Sequence, residues 1–306
     1  DKPDIIYASS TPLSVARLGN KLSTHWDVPW VFEAVDVWPD VPIGMGVVKN
    51  PVLKANLHRR TKKLYASAAE IVALSPGMRE QILSHGVDTN KVIVSYNGTD
   101  PRLFQPIPHD NEFVRFVYAG ALGKANDVQR LVEHWRLMAD LDASFKQAHL
   151  TIYGFGAFQN ETREQIEQYK RVGVQIEFAG TLPKHELAQV LGQYDVGICW
   201  FANYEVLEAN SANKFYDYLA AGLPVLTNYN GWQTKLIHER NCGLGGRIGH
   251  GTTFQDNARR LILEPETRKS MSVNARKTAL ELFNRKDIAE RLLARLKQIE
   301  SKQQNK

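Results

Sequence analysis

The chain has 306 residues, of which 43% are hydrophobic and 23% are charged, and its formal net charge is +5 at pH 7. This length exceeds what one hydrophobic core usually supports, so two domains are expected. The small positive charge does not indicate nucleic-acid binding, and no apolar run is long enough to cross a bilayer. The isolated Cys199 and Cys242 indicate neither a disulfide framework nor a zinc site. The first residues do not resemble a signal peptide, so a cytoplasmic location is expected.

The first hundred residues alternate short β-branched runs with segments of helical period, which is the pattern of an α/β fold. Ser75 and Pro76 are typical of a helix N-cap followed by a proline in the first turn. The predicted strands are 5–8, 30–34, 70–74 and 92–94, and the predicted helices are 12–24, 50–66 and 77–84. Four strands are few for such a domain, so either its fold is reduced or the native protein begins upstream.

A segment rich in proline and poor in apolar residues, 100–111, predicts a linker. Strands are predicted beyond it at 113–118, 149–153, 174–178, 195–199 and 224–227, and helices at 126–141, 158–171, 184–193, 212–221, 253–263, 266–283 and 286–303. Helices between successive strands supply right-handed crossovers, so a doubly wound parallel sheet of Rossmann type is expected. The predicted domains are 1–108 and 109–284, with a final helix over 285–306 that could pack back toward the first domain.

Glycines follow two predicted strands of the second domain, where an open parallel sheet binds its ligand. Gly120 and Lys124 offer close backbone approach and a positive charge to a phosphate. Gly154 and Gly156 lack a third glycine, so they form only a weak dinucleotide signature. Each pair also fits an ordinary tight turn.

The segment 210–225 carries a stronger signal. Ser211 is predicted to cap a helix whose first turn presents free amide groups and Lys214, which together suit a diphosphate. Asp217 follows one turn later on nearly the same face, where its carboxylate can accept hydrogen bonds from two ribose hydroxyls. The same spacing also fits a capped amphipathic helix with its aromatic residues in the core.

The stretch 41–69 contains no acidic residue but six cations, Lys49, Lys54, Arg59, Arg60, Lys62 and Lys63. Apolar residues accompany them over 41–53. Such a segment could meet an anionic membrane or a diphosphate, and it equally fits a solvated helix face beside a loop.

Motifs along nearly the whole chain resemble glycosyltransferase family 4, in particular the bacterial branch that builds capsule, O-antigen and exopolysaccharide. The run K-F-Y-D-Y-L-A-A-G-L-P-V at 214–225 is similar to the family signature K-x-x-E-Y-x-A-A-G-x-P-V. Other similar motifs are D-V-W-P at 36–39, Y-N-G-T-D at 96–100, Y-A-G-A-L-G-K at 118–124, F-A-G-T-L-P at 178–183 and Y-D-V-G at 194–197. The chain departs from the family pattern at Val35, Ala121, Ala209 and Asp217, where many members carry histidine, arginine, glutamate and glutamate.

The resemblance implies a GT-B fold, that is, two Rossmann-like doubly wound parallel-sheet domains that face a cleft, with the first domain apparently truncated at its N-terminus. GT-B domains are normally of similar size, which predicts a native N-terminal extension of roughly eighty to one hundred residues. The implied activity is a retaining hexosyl or N-acetylhexosaminyl transfer from a nucleoside-diphosphate sugar, with UDP favoured, to a saccharide or lipid-linked oligosaccharide. No cofactor and no metal ligand is assigned.

By position in these motifs, Lys124 and Lys214 would neutralise the diphosphate, Asp217 would hold the ribose, and the loops at Gly154 and Thr181 would frame the base. The donor-binding residues so assigned are Gly120, Lys124, Gly154, Gly156, Thr181, Ser211, Asn213, Lys214 and Asp217. Ser10, Asp36 and Trp38 are assigned to the acceptor side, and Asp36 and Lys214 are the candidate catalytic residues. The expected location is the cytoplasm, with peripheral attachment to the inner face of the plasma membrane through 41–69.

Two other functions remain open from the residues. A sugar-nucleotide epimerase of the same fold would need paired titratable groups, for which Asp36, Glu205 and Glu208 are the candidates. A catalytically silent scaffold of polysaccharide assembly would need none. The D-x-D sequence at 140–142, typical of metal-dependent transferases, falls at a predicted helix end and is interpreted as solvated surface.

Overall fold

The computed structural model of the protein describes residues 2–10, 12–109, 112–248 and 253–304, with side chains as far as 301. The chain forms two compact units. The first comprises Asp1–Asn97, Tyr204–Ser211 and Arg285–Lys306, and the second comprises Gly98–Asn203 and Ala212–Asn284. Among the helices of the described residues, none combines the length and the apolar character that crossing a bilayer requires.

The first unit is built on a parallel sheet whose four strands, within the described residues, lie side by side in chain order. Its strands are β1 (Ile6–Ser9), β2 (Trp30–Ala34), β3 (Glu70–Ala73) and β4 (Val92–Val94), and its helices begin with α1 (Leu13–Trp26), α2 (Asp40–Gly44), α3 (Pro51–Ser67) and α4 (Pro76–Ser84). The predicted cap of α4 is confirmed, because the Ser75 hydroxyl accepts a 2.9 Å hydrogen bond from the Met78 amide.

The second unit contains a six-stranded parallel sheet in the described residues. Its strands are β5 (Val114–Ala121), β6 (Ala148–Phe155), β7 (Ile176–Gly180), β8 (Val196–Cys199), β9 (Val225–Thr227) and β10 (Gly243–Gly245). Its helices are α5 (Val128–Leu141), α6 (Gln159–Arg171), α7 (Lys184–Leu191), α8 (Asn213–Ala220), α9 (Trp232–Glu239), α10 (Phe254–Leu263) and α11 (Pro265–Leu282).

The strand order is β10-β9-β8-β5-β6-β7, so the chain reverses its direction of winding between β5 and β8. Such a switch point opens a crevice at the carboxyl ends of the strands, where ligands of doubly wound sheets bind. The core beneath it is aromatic and aliphatic, and Phe116, Trp135 and Trp200 are fully buried in it. The doubly wound sheet predicted for this part of the chain is confirmed.

Among the α-helices and strands of the described residues, α2, α9 and β10 were not predicted. The three residues of β10 include two glycines, so no alternation of apolar and polar residues announces a strand. Strands β5 and β6 also continue two or three residues beyond the predicted ends, which places Gly120 and Gly154 inside strands instead of after them.

The last helix, α12 (Arg285–Gln304), belongs to the first unit. Its Arg295 guanidinium donates hydrogen bonds of 2.7 and 2.8 Å from Nε to the two carboxylate oxygens of Glu70 at the start of β3. The Glu70 side chain is almost completely buried, so this ion pair supplies the counter-charge that a buried carboxylate needs.

Candidate active site

Lys214 stands in the first turn of α8, next to the carboxyl end of β5. Its ammonium nitrogen donates hydrogen bonds of 2.9 Å to the Tyr118 hydroxyl and 3.3 Å to the Asn126 side-chain oxygen. The same nitrogen lies 4.1 Å from the centre of the Tyr118 ring. Within the described part of the chain no carboxylate pairs with Lys214. The ammonium is therefore held by neutral dipoles and by the π faces of Tyr118 and, at 5.8 Å, Phe201.

Burial lowers the pKa of the Lys214 ammonium to about 8, because a partly dehydrated cation is less stable than the neutral amine. Burial also raises the pKa of the neighbouring Cys199 thiol to about 12, so that group stays neutral. An ammonium without an anionic partner is disposed to bind one. The site thus favours an anionic ligand beside Lys214.

Three predicted glycines permit close approach of backbone and side chains here. A Cβ on Gly120 would lie 2.8 Å from both Cε and Nζ of Lys214. A Cβ on Gly154 would lie 2.3 Å from the Gly120 carbonyl oxygen, and one on Gly156 would lie 2.5 Å from the Leu122 carbonyl oxygen. A Cβ at Gly154 or Gly156 would meet backbone atoms, so these two positions require glycine, whereas a Cβ at Gly120 would displace the flexible end of the Lys214 side chain.

A cavity of about 240 Å³ opens beside these glycines at the carboxyl ends of β5, β6 and β7. Its lining includes Gly120, Gly154 and Thr181, and the Thr181 hydroxyl donates a 3.1 Å hydrogen bond to the Gly154 carbonyl. Phe155 also lines the cavity and is 72% exposed. An exposed aromatic ring beside a cavity can stack on a planar base. Sequence reasoning missed Phe155, although its position between two glycines was a usable signal.

Asp217, three residues after Lys214 on α8, is buried. Its Oδ1 accepts a 2.8 Å hydrogen bond from the Thr99 hydroxyl, and its Oδ2 lies 3.3 Å from the Lys184 ammonium. The Lys184 nitrogen also lies 5.4 Å from the centre of the Phe104 ring. Thr99 and Lys184 were not predicted, although Thr99 belongs to the Y-N-G-T-D motif.

The remaining predicted donor residues differ in their placement. Lys124 is exposed in the loop after β5, and Asn213 is exposed at the first position of α8. The predicted capping role of Ser211 is wrong, because Ala212 is the N-cap of α8 and no side chain makes a capping hydrogen bond there. Ser211 is instead buried in the first unit, where its amide donates to the Asn210 side chain at 2.6 Å. The side chain of Ser211 is thus part of the packed interior and does not cap the helix.

The predicted acceptor-side residues all lie in the first unit. Ser10 follows β1 directly, Asp36 follows β2 by two residues, and the Ser10 hydroxyl donates a 3.4 Å hydrogen bond to the Asp36 carbonyl. Trp38 is half-buried just beyond them. The carboxyl ends of neighbouring parallel strands thus bring Ser10 and Asp36 together.

The D-x-D sequence has its carboxylates engaged elsewhere. Asp140 pairs with Arg136 at 2.5 Å, and Asp142 accepts hydrogen bonds of 3.0 and 2.7 Å from the amide and the hydroxyl of Ser144. These two carboxylates are therefore held apart by different partners.

Comparison with known families decides the class of the protein. Residues 100–278 match the family described as glycosyl transferases group 1, and residues 1–98 match the glycosyl transferase 4-like domain. The chain belongs to the group 1 glycosyl transferases. A search of curated proteins found no match to it. The predicted family is thereby confirmed, whereas no comparison distinguishes its capsule and O-antigen branch.

Several solved structures are similar to this glycosyltransferase. HepE from Anabaena, in complex with UDP and glucose, aligns with a TM-score of 0.75 at 16% identity over 96% of this chain and 78% of that one. Sucrose-phosphate synthase from Thermosynechococcus elongatus aligns at 0.73 and 17% over 97% and 73%. A glycosyltransferase from Rickettsia africae aligns at 0.64 and 16% over 95% and 82%. The predicted GT-B fold of two parallel-sheet α/β domains is confirmed.

Proposed function

We propose that this glycosyltransferase moves a hexosyl or N-acetylhexosaminyl group, with retention of anomeric configuration, from a UDP-sugar to a saccharide or lipid-linked oligosaccharide of bacterial surface polysaccharide synthesis. The observation that carries the proposal is the ammonium of Lys214, which has neutral partners and a pKa lowered to about 8 by burial. A similar protein, HepE, has been crystallised with UDP and with UDP-glucose, which supports UDP as the nucleotide.

In this proposal each part of the donor is assigned to residues of the second unit. The diphosphate would lie against Lys214, with the exposed Lys124 as a second cation. The base would enter the cavity lined by Gly154 and Thr181 and stack on Phe155. The ribose hydroxyls would meet the Asp217 carboxylate, which requires the Lys184 side chain to move aside or to share it.

The proposed chemistry is electrostatic. As the glycosidic bond breaks, negative charge grows on the departing diphosphate, so a cation fixed beside it stabilises the transition state more than the ground state. Lys214 would supply that cation without a metal ion. Asp36 would act as the catalytic residue on the acceptor side, and Ser10 and Trp38 would line the surface that binds the acceptor.

The acid-free stretch 41–69 supports a location at the inner face of the plasma membrane. Val47, Val52 and Leu53 are 61%, 77% and 46% exposed, and Arg59, Arg60, Lys62 and Lys63 are exposed on α3. Apolar side chains beside cations are suited to the interface of an anionic leaflet. A lipid-linked acceptor would be presented there.

UDP titration of the parent and of Lys214→Met tests the donor site, with Lys235→Met on α9 as the control because Lys235 is an exposed lysine of the same unit. Loss of a charge-assisted phosphate contact is worth about 1.5–3 kcal/mol, so the affinity of Lys214→Met should fall by roughly tenfold to a hundredfold. Equal affinity of parent and Lys214→Met would overturn the site.

Turnover assays separate this function from its alternatives. The proposal expects a UDP-sugar to be consumed in the presence of a saccharide acceptor and its anomeric configuration to be kept in the product. Conversion of the donor sugar without any acceptor would identify an epimerase. Tight UDP binding without consumption of any UDP-sugar would identify a scaffold.

A further inference from the structure

Three side chains with metal-ligating atoms meet on the first unit. Asp40 begins α2, His58 lies in the middle of α3, and His85 follows the last residue of α4. One ligand atom from each lies within 4.8 Å of the other two. We propose that Asp40, His58 and His85 form a binding site for a divalent late-transition-metal ion, Zn²⁺ in the first place.

The distances in the cluster are close to those of a coordinated ion. His85 Nε2 lies 2.7 Å from Asp40 Oδ2, and His58 Nδ1 lies 3.7 Å from Asp40 Oδ1. Zinc–ligand bonds of about 2.0–2.1 Å in a tetrahedron place ligand atoms about 3.3 Å apart. A separation of 4.8 Å must therefore shorten by no more than about 1.5 Å, which side-chain rotation can supply.

The ligand set selects the kind of ion. Two imidazoles and one carboxylate are the donors that zinc and neighbouring transition metals prefer, whereas magnesium and calcium prefer oxygen ligands. Three protein ligands leave the fourth position of a tetrahedral ion to water or to another small ligand. Each histidine would bind the ion through a ring nitrogen of the neutral imidazole.

The surroundings orient the ligands and still admit an ion. The His85 ring packs 5.4 Å from the His58 ring and edge-on to the buried Tyr65 ring at 5.9 Å. The side chains of Asp40, His85 and His58 are 21%, 13% and 40% exposed. An ion can therefore enter from solvent and would link side chains of α2 and α3 to the residue that follows α4.

Two single variants test the site in the untagged full chain. His58→Gln is the more informative, because His58 stands beyond hydrogen-bond distance of Asp40 and its loss leaves the Asp40 to His85 bond intact. His85→Asn removes a second ligand, and His25→Gln, at an exposed histidine of α1, is the matched control. Far-UV circular dichroism of each metal-free variant verifies folding.

Calorimetric titration with Zn²⁺ at pH 7.5 should give one bound ion per chain for the parent and for His25→Gln. The Zn²⁺ affinity of His58→Gln and of His85→Asn should be lower by at least about tenfold, which corresponds to about 1.4 kcal/mol of binding free energy. Co²⁺ should give visible d–d absorption of a tetrahedral ion in the parent and not in His58→Gln. Mg²⁺ and Ca²⁺ should give neither signal. The proposal is overturned if the parent binds no Zn²⁺, or if His58→Gln and His85→Asn both bind it as the parent does.

Discussion

The hydroxyl of Thr99 donates a 2.8 Å hydrogen bond to Oδ1 of Asp217, and both side chains are buried. The two residues are separated by 118 positions in the chain. The bond fixes the carboxylate on α8 and leaves its Oδ2 facing the Lys184 ammonium at 3.3 Å. Both carboxylate oxygens of Asp217 thus have partners in the second unit, and the proposed contact with a ribose requires Lys184 to share or release Oδ2.

Replacement of Asp217 by Asn should weaken UDP binding while the fold is kept, because an amide accepts hydrogen bonds from ribose hydroxyls less strongly than a carboxylate. Thr99→Val, which removes only the orienting hydroxyl, should have a smaller effect in the same direction. UDP and its 2′,3′-dideoxy analogue are compared by calorimetry in parent and variants. If the parent binds both nucleotides equally, Asp217 does not hold the ribose.

UDP affinity should depend on pH through Lys214, whose pKa in the free protein is lowered to about 8 by burial. A bound diphosphate stabilises the ammonium and raises this pKa, so the contribution of the charge is complete below pH 8 and declines as pH rises above it. Binding at pH 8.5 should take up a proton, measured by calorimetry in two buffers of different ionisation enthalpy. Lys214→Met should show no such uptake, and uptake in that variant would assign the proton to another group.

Gly120→Ala should weaken UDP binding severalfold, because the new methyl group would lie 2.8 Å from the end of the Lys214 side chain and displace it. Gly123→Ala is a close control, since a Cβ there meets no atom within 4 Å. Affinities and melting temperatures of both variants are compared with those of the parent. The interpretation fails if the two substitutions have the same effect on UDP affinity.

The cations of α3 should bring the protein to anionic membranes at low salt. Each could contribute about 1 kcal/mol near the surface, and binding should be reversed by salt. Joint replacement of Arg59, Arg60, Lys62 and Lys63 by Gln should reduce co-sedimentation with anionic liposomes and leave UDP affinity unchanged.

A control with four glutamines at the exposed Lys170, Arg171, Lys235 and Lys277 of the second unit removes the same charge elsewhere. Equal co-sedimentation of the two quadruple variants, or none by the parent, would make 41–69 an ordinary solvated surface.

Arg295→Met should lower the free energy of unfolding by about 3 kcal/mol, because it leaves the buried carboxylate of Glu70 without its counter-charge. Arg240→Met is the control, because it breaks a 2.9 Å ion pair with Glu281 in which both side chains are about 40% exposed. This variant should lower the free energy of unfolding by less than about 1 kcal/mol. Urea denaturation measures both. Adding Glu70→Gln to Arg295→Met should recover part of the loss, and a loss from Arg295→Met no larger than that from Arg240→Met would contradict this account.

Local sequence determined most of the secondary structure of this protein. The observed bounds of β2 (30–34) and β4 (92–94) agree with the prediction to the residue, and Ser75 caps α4 as expected. Both predictions succeed because the periodic spacing of apolar residues and helix capping depend on a few neighbouring residues. The sequence also indicated the family. It did not indicate β10, whose two glycines carry no pattern.

The arrangement of the site was decided only by the tertiary structure. Lys214 meets Tyr118 and Asn126 across 96 and 88 residues because the sheet order places β5 beside β8. No local signal encodes such an order, which arises when crossover helices bury their apolar faces on both sides of the sheet. Ser211, which was predicted to cap α8, is buried in the first unit, and Ala212 is the N-cap. A capping preference of about 1 kcal/mol is smaller than the burial of an aromatic core, so the core determined where the helix begins.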